Sequence, residues 1–132
     1  MRSANQRPCA IVVESDREVR SAIAALLEHE LEVQGADSEL GAAALLEQLR
    51  QVDLAFIDLE LPPAERSLRV GEDLLERLQR WPDAIRVLLV AKVETSTELP
   101  RQRHLAHLLL SKPPAPCVIQ ALKRATLRLP RM

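Results

Sequence analysis

Tyrosine is absent from this chain, and Phe56 and Trp81 are its only aromatic residues. Binding of single-stranded nucleic acid by stacking bases on aromatic rings is therefore excluded. Glycine is almost as scarce, with only Gly35, Gly41 and Gly71. No glycine-rich phosphate loop or dinucleotide fingerprint can be assembled from three such scattered positions. Cys9 and Cys117 match no metal-binding spacing, and His29, His104 and His107 make no zinc signature. Two isolated thiols read as structural residues in a reducing compartment. No apolar run approaches the roughly 18 residues that a membrane span needs. The first eight residues are polar and lack the hydrophobic region of a secretory signal. These absences lead to the expectation of a cytoplasmic protein with no membrane partner.

What remains is a chain of 132 residues, short enough to suggest a single domain. Apolar residues alternate between two periods along it. Cys9–Val13 is a continuous apolar run, as in a strand buried on both faces. Val19, Ile23, Leu26 and Leu27 then recur at helical spacing. Ser15 followed by Glu18 predicts a capping box at the start of that helix. Leu31–Ala36 is a weaker second strand. Ala42, Leu45, Leu46 and Leu49 predict a second helix capped by Asp37 or Ser38. Leu54–Ile57 is a third strand, ending on Asp58. Val70, Leu74, Leu78 and Trp81 predict a third helix that stops near Pro82. Ile85–Ala91 is a fourth strand, a short helix is expected near Thr97, and Leu108–Ser111 is a fifth strand. Val118, Leu122, Ala125 and Leu129 predict the last helix.

Five apolar strands alternating with amphipathic helices predict an α/β fold with a parallel sheet covered on both faces. The expected architecture is a single flavodoxin-like (βα)5 doubly wound sheet with strand order 2-1-3-4-5. Ligands of such a sheet bind outside the carboxyl ends of the strands. The first strand ends at Glu14, the third at Asp58 and the fifth at Lys112. Two carboxylates and a lysine thus fall on one edge of the sheet. Each alone could be a solvated strand end or a turn cap; three together point to a site. Carboxylates of this kind suit a hard cation such as Mg²⁺, and a lysine beside them suits phosphoryl oxygens. With 15 arginines and only three lysines in the chain, the position of each lysine carries more weight. For Ser15, helix capping is the favoured role.

These residues resemble the receiver domain of two-component response regulators, from Ala10 to about Arg128. IVVESDREVR is similar to the family's acidic-pair segment, VDLAFIDLELP to its phosphoacceptor strand and LLLSKPP to its Lys-Pro segment. The interval of 44 residues from Glu14 to Asp58 agrees, as does that of 22 from Val90 to Lys112. The resemblance implies a receiver-like domain over residues 9–128, with an N-terminal extension at 1–8 and a tail at 129–132. It implies that Asp58 accepts a phosphoryl group from a histidine kinase or a phosphotransfer protein. Lys112 would pair with Asp58 and then with the phosphoryl oxygens. Glu14, Asp58 and the backbone carbonyl of Glu60 would hold Mg²⁺. The Lys112–Pro113 peptide bond would be cis.

The sequence departs from that pattern. Ser15 stands where a second acidic residue belongs, which weakens the metal site. Val90 stands where a hydroxyl residue belongs, and Leu109 where an aromatic switch residue belongs. The loop from Leu61 to Val70 is also longer than usual. Two readings follow from the resemblance. In one, Asp58 is phosphorylated, with weak dependence on Mg²⁺. In the other, the domain is a pseudo-receiver that binds proteins independently of phosphorylation. Neither is an enzyme. A phosphatase of the haloacid-dehalogenase type, which also opens on a strand-ending aspartate, is a remote third. It uses Asp-x-Asp, whereas the segment here is Asp58-Leu59-Glu60, and no cap domain could fit.

A formal charge of −1 conceals an asymmetry. Residues 1–100 carry 11 basic against 19 acidic side chains. Residues 101–132 carry seven basic side chains and no acidic one: Arg101, Arg103, Lys112, Lys123, Arg124, Arg128 and Arg131. They fall in or near the fourth helix, fifth strand and fifth helix. In receivers that face serves dimerisation or partner docking. An acidic partner surface, or a homodimer using the acidic part of a second copy, would fit it. A solvated basic helix end, favoured by the helix dipole, fits equally well. No helix suited to reading bases is evident, which argues against nucleic acid.

Overall fold

The computed structural model describes residues 7–59, 61, 73–90 and 106–128. Strand β1 spans Cys9–Val13, β2 Glu32–Ala36, β3 Leu54–Asp58, β4 Ile85–Val90 and β5 Leu108–Ser111. Helix α1 spans Arg17–Leu27 and α2 Glu39–Gln48. Helix α3 is described over 73–77 and continues into the 3-10 turn Leu78–Arg80. Helix α4 spans Pro116–Leu127. The helix expected near Thr97 lies outside the described residues, so α4 is the last of the predicted helices. Among the described residues no helix is long and apolar enough to cross a membrane.

The five strands form one sheet in the order β2-β1-β3-β4-β5, and every pairing is parallel. The order matches the expectation, and burial explains it. The continuous apolar runs, β1 and β3, are wholly buried at the centre of the sheet. The two edge strands, β2 and β5, keep several residues partly or fully exposed.

Successive residues of a strand point to opposite faces. Ile11, Val13, Ala55, Ile57, Leu88 and Val90 pack on one face with Ala42 and Leu46 of α2 and with Leu74, Leu75, Leu78 and Trp81. Ala10, Val12, Leu54, Phe56, Val87 and Leu89 pack on the other with Ile23 and Leu27 of α1 and Ile119 and Leu122 of α4. Helices α2 and α3 therefore cover one face, and α1 and α4 the other. This two-sided burial is what the wholly apolar strands require.

The amino end of the sheet is closed by polar contacts of its own. Asp53 is buried there, and its carboxylate accepts from the Cys9 amide at 2.8 Å and from Gln51 Nε2 at 3.2 Å. Trp81 donates its indole N–H to the Arg50 carbonyl at 2.9 Å. Both contacts serve the packing of β3 and α3 and lie at the end opposite the carboxyl edge.

Two local expectations need correction, and one choice between alternatives is decided. The cap of α1 is Asp16, whose side chain accepts from the amides of Glu18 and Val19 at 2.8 and 3.3 Å. The capping box of Ser15 and Glu18 does not form. Of the two suggested caps for α2, Ser38 is the one used. Only Cys9 is buried; Cys117 is exposed on α4, so the structural-thiol reading holds for one cysteine and not both.

Candidate functional site

Glu14 follows β1 directly, Asp58 is the last residue of β3, and Lys112 follows β5 directly. Strand alternation decides which way these residues face. Asp58 has the parity of Leu54 and Phe56, Glu14 that of Ala10 and Val12, and Lys112 that of Leu110. All three therefore emerge on the side covered by α1 and α4. Strand β4 lies between β3 and β5, so Lys112 reaches across its end to Asp58. The Lys112 amide donates to the Val90 carbonyl at 2.8 Å, which anchors the start of that reach. The Lys112–Pro113 peptide bond is cis, as the resemblance implies.

The three side chains meet. Lys112 Nζ lies 3.1 Å from Asp58 Oδ1 and 3.4 Å from Glu14 Oε2. Both carboxylate side chains are fully buried, and that of Lys112 is 16% exposed. Two buried carboxylates this close are costly without a cation between them. The ammonium group supplies that charge. The second oxygen of Asp58, Oδ2, receives the Ser15 hydroxyl at 3.2 Å and the Ser15 amide at 3.4 Å. Glu14 Oε2 also accepts the Asp16 amide at 2.8 Å, whereas Glu14 Oε1 is buried without a hydrogen-bond partner among the described residues. Burial pushes the Glu14 carboxyl above its usual range. The Asp16 amide opposes that shift, the charge of Asp58 adds to it, and Lys112 opposes it.

Two of these contacts escaped sequence reasoning. Ser15 and Asp16 are both competent caps, and the Ser-x-x-Glu pattern favoured the first. Asp16 takes the cap, and Ser15 is left to face Asp58. Arg20 was not singled out, yet its Nη1 donates to the Glu14 carbonyl at 2.7 Å and fastens the first turn of α1 to the end of β1. The pairing of a β1-end carbonyl with an arginine in the next helix has no local sequence signature.

Other sequence-predicted residues fall differently. Val90 does not face the same side of the sheet as Asp58. It packs with the α2 and α3 cluster, on the opposite face from Leu89, which lies level with Asp58. Residue 91, an alanine, lies outside the described residues. Leu109 is half-buried against the α2 and α3 cluster. Glu60, Arg101 and Arg103 lie outside the described residues. Lys123 is not a free surface cation: its ammonium pairs with Glu30 at 2.9 Å, and its side chain is 11% exposed. Arg124 and Arg128 are exposed near the end of α4.

The fit of a Mg²⁺ ion can be judged from the donors. Glu14 and Asp58 are hard oxygen ligands, and Glu14 Oε1 is an acceptor with no donor among the described residues. A third carboxylate is missing, because position 15 is a serine and the Asp16 side chain is spent on α1. Among the described residues no group of three or more His, Cys, Asp or Glu side chains could hold a metal ion. The residues present suit a weak site at most.

Solved structures similar to this one include receiver domains. The signal receiver domain of an HD domain-containing protein from Pseudomonas fluorescens Pf-5 has a TM-score of 0.74 at 25% identity, covering 92% of this chain and 95% of that one. A response regulator from Thermotoga maritima has a TM-score of 0.71 at 23% identity, covering 93% and 99%. A CheY-like response regulator receiver domain from Methanospirillum hungatei JF-1 has a TM-score of 0.72 at 20% identity, covering 92% and 94%. No protein-family model and no curated protein matches the sequence. Strand order, the carboxyl-edge cluster and these likenesses agree: the chain has the fold of the response-regulator receiver domains.

Proposed function

We propose that this chain is a receiver module of two-component signal transduction and that Asp58 is its phosphoacceptor. The observation that carries the reading is the Lys112 ammonium 3.1 Å from Asp58, at the carboxyl edge of a receiver fold. The donor is a phosphohistidine on a histidine kinase or a phosphotransfer protein. An Asp58 oxygen attacks phosphorus in line, and a P–O bond forms as the P–N bond breaks. The imidazole leaves with the electron pair and takes a proton from solvent. Lys112 balances the charge that develops on the phosphoryl oxygens. Glu14 and Asp58, with the Glu60 carbonyl, would hold a weakly bound Mg²⁺, which when present would withdraw negative charge from the same oxygens.

A specific observation favours the pseudo-receiver alternative. The Asp58 side chain is fully buried, and both of its oxygens already receive donors. Phosphorylation must displace at least one of them. One experiment separates the two readings. The protein is incubated with acetyl phosphate and Mg²⁺ and weighed intact. A single phosphoryl adduct that disappears in Asp58→Ala is the expected result. Absence of any adduct, at every Mg²⁺ concentration, would leave the pseudo-receiver in its place.

A further inference from the structure

A phosphorylated aspartate can be sensed only by a group that follows its charge, and among the described residues the end of β4 offers no such group. Val90 is apolar and packs on the opposite face of the sheet, and residue 91 is alanine. The β1–α1 corner does offer one. Ser15 gives both its hydroxyl and its amide to Asp58 Oδ2. Ser15 is exposed and Asp58 is buried, so the serine stands on the outward side of the acceptor.

The corner is also wired to a helix. The next residue, Asp16, caps α1, and its amide is held by Glu14 Oε2 at 2.8 Å. Arg20 ties the first turn of the helix back to the Glu14 carbonyl. A shift of Ser15 therefore reaches the start of α1 through a single peptide bond.

We propose that Ser15 is the readout residue of this domain: it covers Asp58 at rest and contacts the phosphoryl oxygens when Asp58 is modified, so that α1 moves rather than the end of β4. The inference rests on Asp58 being the acceptor. Phosphorylation removes the charge from the carboxylate and places it on oxygens farther out. Donors bond more strongly to the charged group, so the Ser15 hydroxyl and amide follow it outward. Asp16 and the first turn of α1 go with them. Helix α1 shares its side of the sheet with α4, and the two form the surface that changes.

The test uses the full chain, phosphorylated with phosphoramidate and Mg²⁺, with the adduct verified by intact mass and its loss in Asp58→Ala. Amide chemical shifts are then compared with and without the adduct. The expected shifts are larger across Ser15 to Arg20 than at Leu89 and Val90. In Ser15→Ala the adduct should still form while the shifts at Glu18, Val19 and Arg20 are lost. Ser15→Thr, which keeps the hydroxyl, should restore them. Shifts in α1 that persist in Ser15→Ala overturn the inference and leave the acceptor standing. So do shifts concentrated at Leu89 and Val90. No adduct in the unmodified sequence overturns both.

Discussion

Glu14 is the residue where chemistry and stability conflict most sharply. Its carboxylate is buried, one oxygen has no partner among the described residues, and Asp58 lies on the same ammonium. Its proton is held more tightly in the fold than at the ordinary value of 4.5. A raised acid contributes its full stability below the unfolded value and loses it as pH rises through the folded one. Glu14→Gln removes that dependence. The melting temperature of the variant, relative to the unmodified protein, should therefore rise as pH is raised upward from that ordinary value. A thermal unfolding series over that range checks it, and a constant difference would show that Glu14 does not titrate there. Glu14, Asp58 and Lys112 were legible in the sequence because each is a charged residue ending an apolar run. Ser15 was not, because its neighbour competes for the same capping role and only the approach of Asp58 decides between them.

At the scale of elements, α1 shows how one corner divides its duties. Asp16 satisfies two orphan amides of the first turn, and Ser15 satisfies none. Asp16→Ala should cost about 1 kcal/mol of stability, the usual worth of a side-chain cap. Ser15→Ala should cost clearly less, since its contact lies outside the helix. Urea unfolding of the two variants separates the duties, and equal losses would contradict the assignment. The strands were readable to within a residue or so, β1 and β3 most clearly, because burial on both faces favours apolar side chains there. Helices α1, α2 and α4 were readable from their single buried stripes. The third helix was expected from Val70 to Trp81. Its described part starts at 73, and its last turn tightens into a 3-10 turn before Pro82. Proline excludes further helix there, and the tightened turn supplies the carbonyl of Leu78 to the Trp81 amide.

For the whole molecule, the charge split acquires a location. The basic end of the sequence forms β5, the Lys112 segment and α4. Two of its cations are committed: Lys112 to the carboxylates and Lys123 to Glu30, beside the α1–β2 turn. Arg124 and Arg128 remain exposed at the end of α4. We propose that, among the described residues, these two contribute to whatever partner or self-association the basic face supports. Charge reversal, Arg124→Glu with Arg128→Glu, should leave folding stability within about 1 kcal/mol, as for exposed substitutions away from packing. It should weaken self-association in sedimentation velocity, or binding to a histidine kinase if the proposed function holds. If neither changes, the two arginines are solvated surface that complements the helix dipole.

The order of apolar runs and amphipathic stripes determined the sheet, its parallel strands and the edge on which the charged residues would gather. These are local patterns, and right-handed crossovers leave few ways to assemble them. The tertiary structure alone decided which side chains touch. Alternation along β3 and β4 sends Asp58 and Val90 to opposite faces, although the sequence interval had seemed to place them together. The approach of β1 to β3 gives Ser15 an acceptor 43 positions away, a partner that no local pattern encodes. Lys112 finds Glu14 across 98 positions for the same reason. Hydrogen bonds and ion pairs depend on distances of a few tenths of an ångström, and those are set by packing rather than by periodicity.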